Sequence, residues 1–318
     1  MARRSKRSRR SSSFAPFFLW LNLILAVAIG GWYLVQPTER QADVRRLVAN
    51  TFERKKQISP LDLARDLWEL YYRDAAAGRI ATGDKSLLYG GVPLDRSADA
   101  NGALRILKNR GYVVGYSDAH GNPAWVAYRV ADLENIPATP PRPEKFEVDR
   151  RTTARVSPDA YTNSGYDRGH LAPNYAIAIH YGADAQAETF LMSNITPQLH
   201  ALNAGLWKEL EMKIATSYPA RYAEVWAIVG PVFGANPPRL PGGVLVPEAF
   251  FAILVDEHEG KLRTFALLIP QDAAPSNDVA RFLTTIDEIE RRTQLDFLPE
   301  LDDVSENEIE RVRAARVW

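Results

Sequence analysis

The chain has 318 residues, 46% of them hydrophobic and 25% charged, with 39 basic and 39 acidic side chains and no cysteine. That composition excludes a disordered or low-complexity polymer, and the missing thiols exclude a disulfide scaffold, a thiolate zinc site and a cysteine nucleophile. The neutral total conceals a split: residues 1–36 hold six basic groups and no acid, so the remainder, at 33 basic against 39 acidic, is not a generally basic nucleic-acid binder.

The first predicted element is an apolar run. Residues 14–35 form a stretch of 22 in which Asn22 is the only strongly polar side chain. At about 1.5 Å per residue this suffices for a hydrocarbon layer of about 30 Å, and Trp20, Trp32 and Tyr33 suit its interfaces. Arg3, Arg4, Lys6, Arg7, Arg9 and Arg10 precede it, so residues 1–13 are expected to stay cytoplasmic and the chain after Gln36 to be exported. Residues 14–36 are therefore predicted to be one transmembrane helix. A signal peptide cleaved after Ala26-Val27-Ala28 is the alternative, but the run continues seven residues further, the habit of an anchor. The expected location is the bacterial inner membrane, single-pass, with the bulk of the chain in the periplasm. A mitochondrial inner membrane, facing the intermembrane space, is the alternative for an Arg- and Ser-rich start.

Residues 37–84 read as a membrane-proximal helical segment, with Val44, Leu47 and Val48 at helical spacing and Ser59-Pro60 as a start signal. From Tyr89 the period changes. Residues 111–116 and 124–130 are short β-type runs around a polar turn, and further runs follow at 189–195, 224–229, 250–255 and 262–269. Helical patterns cover 199–217 and 279–293, the latter with Val279, Phe282, Leu283, Ile286 and Ile289 on one face. Strands and helices alternate without a βαβ rhythm. The fold class is α+β with a mostly antiparallel sheet over residues 85–301, followed by a charged tail at 302–318.

Chemistry concentrates between residues 161 and 211. Of five histidines, His120 and His258 fall in hairpin turns and His180 in a loop. His170 closes the run Asp167-Arg168-Gly169-His170, which offers a base for water and a cation for a phosphate. The bland reading is a loop with Asp167 capping a turn. Asn203, Trp207 and Glu211 follow at spacings of four, which puts them on one face of a helix. Asn203 and Glu211 are hard oxygen donors suited to Mg²⁺, and His200, one turn earlier, is a weaker candidate for a second ligand.

Asp167-Arg-Gly-His170, then Ser193-Asn-Ile-Thr-Pro-Gln198, then Leu202-Asn203 leading to Leu206-Trp207 and Leu210-Glu211, together resemble the sugar-non-specific DNA/RNA endonucleases. Asn203 stands 33 positions after His170. The likeness extends to Tyr89-Gly-Gly-Val-Pro-Leu94, to residues 225–233 and to Val246-Pro-Glu-Ala-Phe-Phe251, nearest the endonuclease G type. The resemblance implies a ββα-metal nuclease core, with His170 as general base and Asn203 as the one direct protein ligand of a hydrated Mg²⁺, for which Mn²⁺ could substitute. It implies that Glu211 holds the ion through water, that Arg168 braces the phosphate, and that an upstream arginine steadies the transition state. Arg142 is the candidate for that arginine, with Arg150, Arg151 and Arg155 in competition. The expected partners are DNA and/or RNA and, through the amino-terminal helix, a membrane; a homodimer is a further expectation. Two other readings stay open. One is a nucleic-acid-binding module without turnover, and the other is a phosphodiesterase for a cell-envelope or nucleotide substrate.

Overall fold

The computed structural model describes residues 15–36, 41, 44–45, 87–97, 104–258 and 260–318. The basic tail expected at 1–13 and most of the helical segment expected at 37–84 lie outside these residues. The chain forms two compact units, residues 1–63 and 64–318.

The described part of the first unit is dominated by helix α1, Ala15–Leu34, 20 residues long, on which Trp20, Leu23, Ile24, Val27, Ile29 and Leu34 are exposed. The side chains of residues 15–19, 21, 22 and 25 lie outside the described set. Among the described residues no helix is long and apolar enough to cross a membrane, so the expected span rests on the amino-acid sequence alone.

The second unit is built on eleven described strands: β1 (Leu94–Asp95), β2 (Arg105–Lys108), β3 (Val113–Ser117), β4 (Asn122–Ala131), β5 (Asp167–His170), β6 (Ile195–Gln198), β7 (Glu224–Val232), β8 (Ala249–His258), β9 (Lys261–Pro270), β10 (Leu283–Thr284) and β11 (Leu295–Asp296). Its helices are α2 (Asn174–Glu188), α3 (His200–Asn203), α4 (Leu206–Met212), α5 (Tyr218–Tyr222), α6 (Ile286–Thr293) and α7 (Asp303–Glu310). The fold is α+β, as expected. Seven strands form one sheet in the order β10-β9-β8-β7-β4-β3-β2, every neighbour antiparallel.

The sheet is buried on both faces, which is why its central strands read as unbroken apolar runs. Along β8, Phe250, Ala252 and Leu254 join the core that holds Trp207 and Leu210 of α4, while Phe251, Ile253 and Val255 join the core that holds Ile286, Ile289 and Ile309 of α6 and α7. Period-two alternation thus assigns α2–α5 to one face and α6 and α7 to the other. Residues 302–318, expected as a charged tail, supply α7 and end on Trp318, whose indole packs against Tyr218, Tyr222 and Phe265.

Three sequence expectations need correction. The run at 189–195 is not one strand. Thr189 closes α2, Met192–Asn194 form a 3₁₀ turn, and only Ile195 begins β6. Ser193 and Asn194 hold that turn through side-chain hydrogen bonds to Asp149, Ala172 and Thr189, which compete with a strand ladder. The pattern at 279–293 is a 3₁₀ turn at Val279–Phe282, then β10, and only then α6, whose start is capped by Thr285 Oγ1 accepting from the Glu288 amide at 3.1 Å. His180 lies in α2 rather than in a loop.

Candidate active site

The local chain path sets the site. Ser164 Oγ accepts from the Tyr166 amide, and Gly165, at φ +82°, turns the chain into β5. β5 pairs antiparallel with β6, Asp167 opposite Gln198 and His170 opposite Ile195. At Gly169 an added Cβ would lie 2.1 Å from Oε1 of the fully buried Gln198, so glycine is what lets these strands close. Gln271 fixes the exit from β6. It donates from Nε2 to the Pro197 and Pro247 carbonyls at 3.0 and 3.1 Å, and its Oε1 accepts from the Leu199 amide at 2.9 Å. α3 starts at the next residue. Two antiparallel strands and a helix are therefore present in the expected order, with α2 rather than a tight turn joining the strands.

The helix expected at 199–217 is broken. α3 ends at Asn203, and Gly205, at φ −106° and ψ −112°, separates it from α4. A Cβ on Gly205 would sit 2.4 Å from the Ala201 carbonyl oxygen and 2.7 Å from Pro275, so the break needs glycine. Asn203 is consequently not on one continuous helical face with Trp207 and Glu211. Trp207 is core, 1% exposed, while Glu211 stays half-buried at the next turn of α4.

Asp167 organises the helix side of the site. Its Oδ2 accepts from Asn203 Nδ2 and is paired with His200 Nδ1, both at 2.8 Å. A carboxylate oxygen accepts hydrogen bonds, so the Asn203 amide must turn its NH₂ toward Asp167 and its Oδ1 away. His200 is otherwise exposed. Nothing in the sequence reading gave Asp167 this role, although it heads the motif that contains His170.

His170 lies between two aromatic rings, Phe146 at 5.5 Å and Phe190, edge-on, at 5.0 Å. Its Nε2 is buried and has no hydrogen-bond partner among the described residues. Burial, and then the Arg142 cation, push its imidazole down to about 3, which keeps the ring neutral at pH 7. Burial pushes the Glu211 carboxyl up to about 8, against the pull of the Trp207 side chain, Arg142 and Lys208. Arg142, exposed, lies over the Phe190 ring at 5.1 Å. Its charge acts on both His170 and Glu211.

Two of its three competitors point elsewhere. Arg151 is tied to Asp149, the Lys108 carbonyl and Asn109, and Arg155 Nε donates to the Thr152 carbonyl. Arg168 donates from Nε and Nη2 to the Pro158 carbonyl at 3.1 and 2.8 Å and lies over Phe146 and Tyr161. Two of its donors are engaged, and one guanidinium nitrogen remains to face a phosphate. Phe146 and Phe190 carried no recognisable signal in the sequence, because Phe146 stands alone between Lys145 and Glu147 and Phe190 reads as one apolar residue of the run at 189–195.

Comparisons with known proteins follow the same lines. The chain is 30% identical to the Nuclease of Nostoc sp. over 64% of its length and 77% of that protein. It is 32% identical to human mitochondrial Endonuclease G over 63% of its length and 71% of that protein. Against mitochondrial Nuclease EXOG of Xenopus laevis it is 25% identical and spans 57% of that protein's length. A solved structure of EndoG in complex with EndoGI superposes with a TM-score of 0.56 at 22% identity, covering 62% of this chain and 86% of the other, a likeness of fold. From the start of β1 to the first turn of α7, residues 94–304 match the DNA/RNA non-specific endonucleases, and the chain belongs to that family of nucleic-acid hydrolases.

Proposed function

We propose that the protein is a membrane-tethered, metal-dependent endonuclease that hydrolyses DNA and RNA phosphodiesters to 5′-phosphate products. The observation that carries this reading is the lock on Asn203: Asp167 fixes its amide so that the oxygen faces away, on a helix one step beyond the strand paired with the one bearing His170. With the Glu211 carboxyl on the next helix, these are hard oxygen donors of the kind Mg²⁺ or Mn²⁺ accepts, so the residues fit such an ion. Asn203 would bind it directly and Glu211 through water. When bound, the ion would supply positive charge for the developing phosphate and the departing 3′-oxygen.

The rest falls to side chains of this chain. The neutral His170 imidazole takes the proton of the attacking water. An anionic phosphate beside it supplies the opposite charge that Arg142 withholds, and so raises its basicity at the moment it is needed. Arg142 then faces the phosphate with Arg168, and both steady the negative charge. No base is read, since the reacting groups belong to the backbone of the nucleic acid.

Tethering rests on the sequence, where an apolar run at residues 14–35 follows six basic residues, a pattern that also suits an inner-membrane location with the nuclease in the periplasm. The test is incubation of the full chain, in detergent, with plasmid and with RNA. Cleavage of both in Mg²⁺, stopped by EDTA, is the expected result. Cleavage that survives EDTA, or that leaves 3′-phosphate ends, would overturn the reading.

A further inference from the structure

Five carboxylates meet on the sheet face away from α2–α5. Asp287 and Glu290 come from α6, Asp296 from β11, and Glu306 and Glu310 from α7. They form two groups that share one member. In Asp287, Glu290 and Glu310, and again in Asp296, Glu306 and Glu310, the offered oxygens all lie within 4.8 Å of one another. Two oxygens bound to one calcium ion at about 2.4 Å can be no further apart than about 4.8 Å.

A cluster of acids alone would not identify a ligand, because exposed carboxylates repel cheaply in water. Glu310 is different. It is 7% exposed, and its Oε1 is buried with no hydrogen-bond partner among the described residues, yet it is the member both groups share. An ionised carboxylate held in that position needs a cation or a proton. The charged groups on the elements around it offer little else. Arg96 pairs with Asp296 at 2.6 Å, and Glu290 accepts from the Phe297 amide at 2.7 Å. Arg291 is bound to Glu288, Arg292 to Glu248, Arg311 to the Asn307 carbonyl and Arg313 to the Leu283 carbonyl.

We propose that Asp287, Glu290, Asp296, Glu306 and Glu310 form a binding site for a divalent cation of the calcium class, separate from the nuclease site and clasping α6 to α7. The chemistry favours calcium over magnesium. Calcium takes six to eight oxygens in a flexible shell, often all from protein, whereas magnesium keeps several waters in a strict octahedron. Carboxylates from three separate elements provide the former and would dehydrate the latter.

The test uses the full chain in detergent, stripped of metal and carrying Asn203→Ala so that the nuclease site does not respond. CaCl₂ is then titrated by calorimetry and thermal unfolding at pH 7.5. The expected result is saturable binding of one or two ions and a rise in Tm of roughly 5 °C or more at a hundredfold excess over Kd. Glu310→Gln, nearly isosteric, should raise the calcium-free Tm by relieving repulsion and abolish the response to calcium. A stability that answers to pH but not to millimolar calcium would show that a shared proton fills the role, and would overturn the proposal. So would a calcium response left intact in Glu310→Gln.

Discussion

At the scale of single residues, the site depends on groups held in one orientation by a neighbour. His170 has its ring fixed by Phe146 and Phe190 rather than by a strong hydrogen bond, so its replacement removes a proton acceptor and little else. His170→Ala is expected to lower turnover by about 10²–10⁴, the usual worth of general-base catalysis, with the thermal midpoint nearly unchanged. His120, whose ring lies edge-on to Phe233 in a turn, serves as the control, and His120→Ala should leave turnover close to wild type. Asp167 acts through Asn203 and not on the substrate. Asp167→Ala frees the amide to rotate, so the Mg²⁺ concentration for half-maximal activity should rise by about 10–100-fold, the typical cost of losing an orienting partner behind a metal ligand. Saturating Mg²⁺ should then restore much of the rate. An unchanged Mg²⁺ dependence in Asp167→Ala would show that the amide is held by something else.

At the scale of elements, glycine decides more than periodicity does. The spacing of Asn203, Trp207 and Glu211 fits a continuous helix, and the break at Gly205 is legible only from its contacts with the Ala201 carbonyl and Pro275, the second of them distant in sequence. Gly205→Ala should cost about 1–3 kcal/mol in stability, as overpacking at a closed site does, and should shift Asn203 relative to Glu211, lowering activity beyond what the lost stability explains. The pattern at 279–293 failed for a related reason. Apolar residues at helical spacing are also produced by a turn, a two-residue strand and a short helix that all face one core. By contrast β4, β7, β8 and β9 were legible, because strands buried on both faces cannot hide their composition. The motif residues were legible as a set, while Asp149 was not. Buried at 3% exposure, it accepts from the Arg151 side chain and, at 2.6 Å, from Ser193 Oγ. Burial alone would raise its carboxyl, but these hydrogen bonds outweigh burial and hold it below its ordinary value. A carboxyl lowered in the fold contributes stability above its unfolded pKa and loses it as pH falls through the folded one. Asp149→Asn should therefore cost about 1.5–3 kcal/mol at pH 7 and flatten the acid limb of the stability profile, read by urea unfolding from pH 7 down to pH 2.

At the scale of the whole molecule, charge sets how the enzyme meets its substrate. Residues after 36 carry more acid than base, and many arginines are already spent on acids: Arg96 on Asp296, Arg105 on Asp118, Arg110 on Asp184, Arg151 on Asp149 and Arg263 on Asp256. A tether would offset weak attraction by confining the nuclease to one surface. It predicts that the full chain stays with the membrane in a carbonate wash, and release into the supernatant would count against it. Exposed cations remain at Arg142, Lys145 and Arg150, ahead of β5 in the chain, and at Lys208, whose charge acts on Glu211. Each phosphate neutralised on duplex DNA contributes about −0.9 to the slope of log K against log salt. Two to four contacts therefore predict a slope of roughly −2 to −4 for His170→Ala, which binds without cutting, measured by fluorescence anisotropy between about 50 and 200 mM salt. Arg142→Ala and Arg150→Ala should each make that slope shallower by about one contact. A slope equivalent to about eight contacts or more would reveal an extended basic face, and the local strip around Arg142 would no longer account for binding.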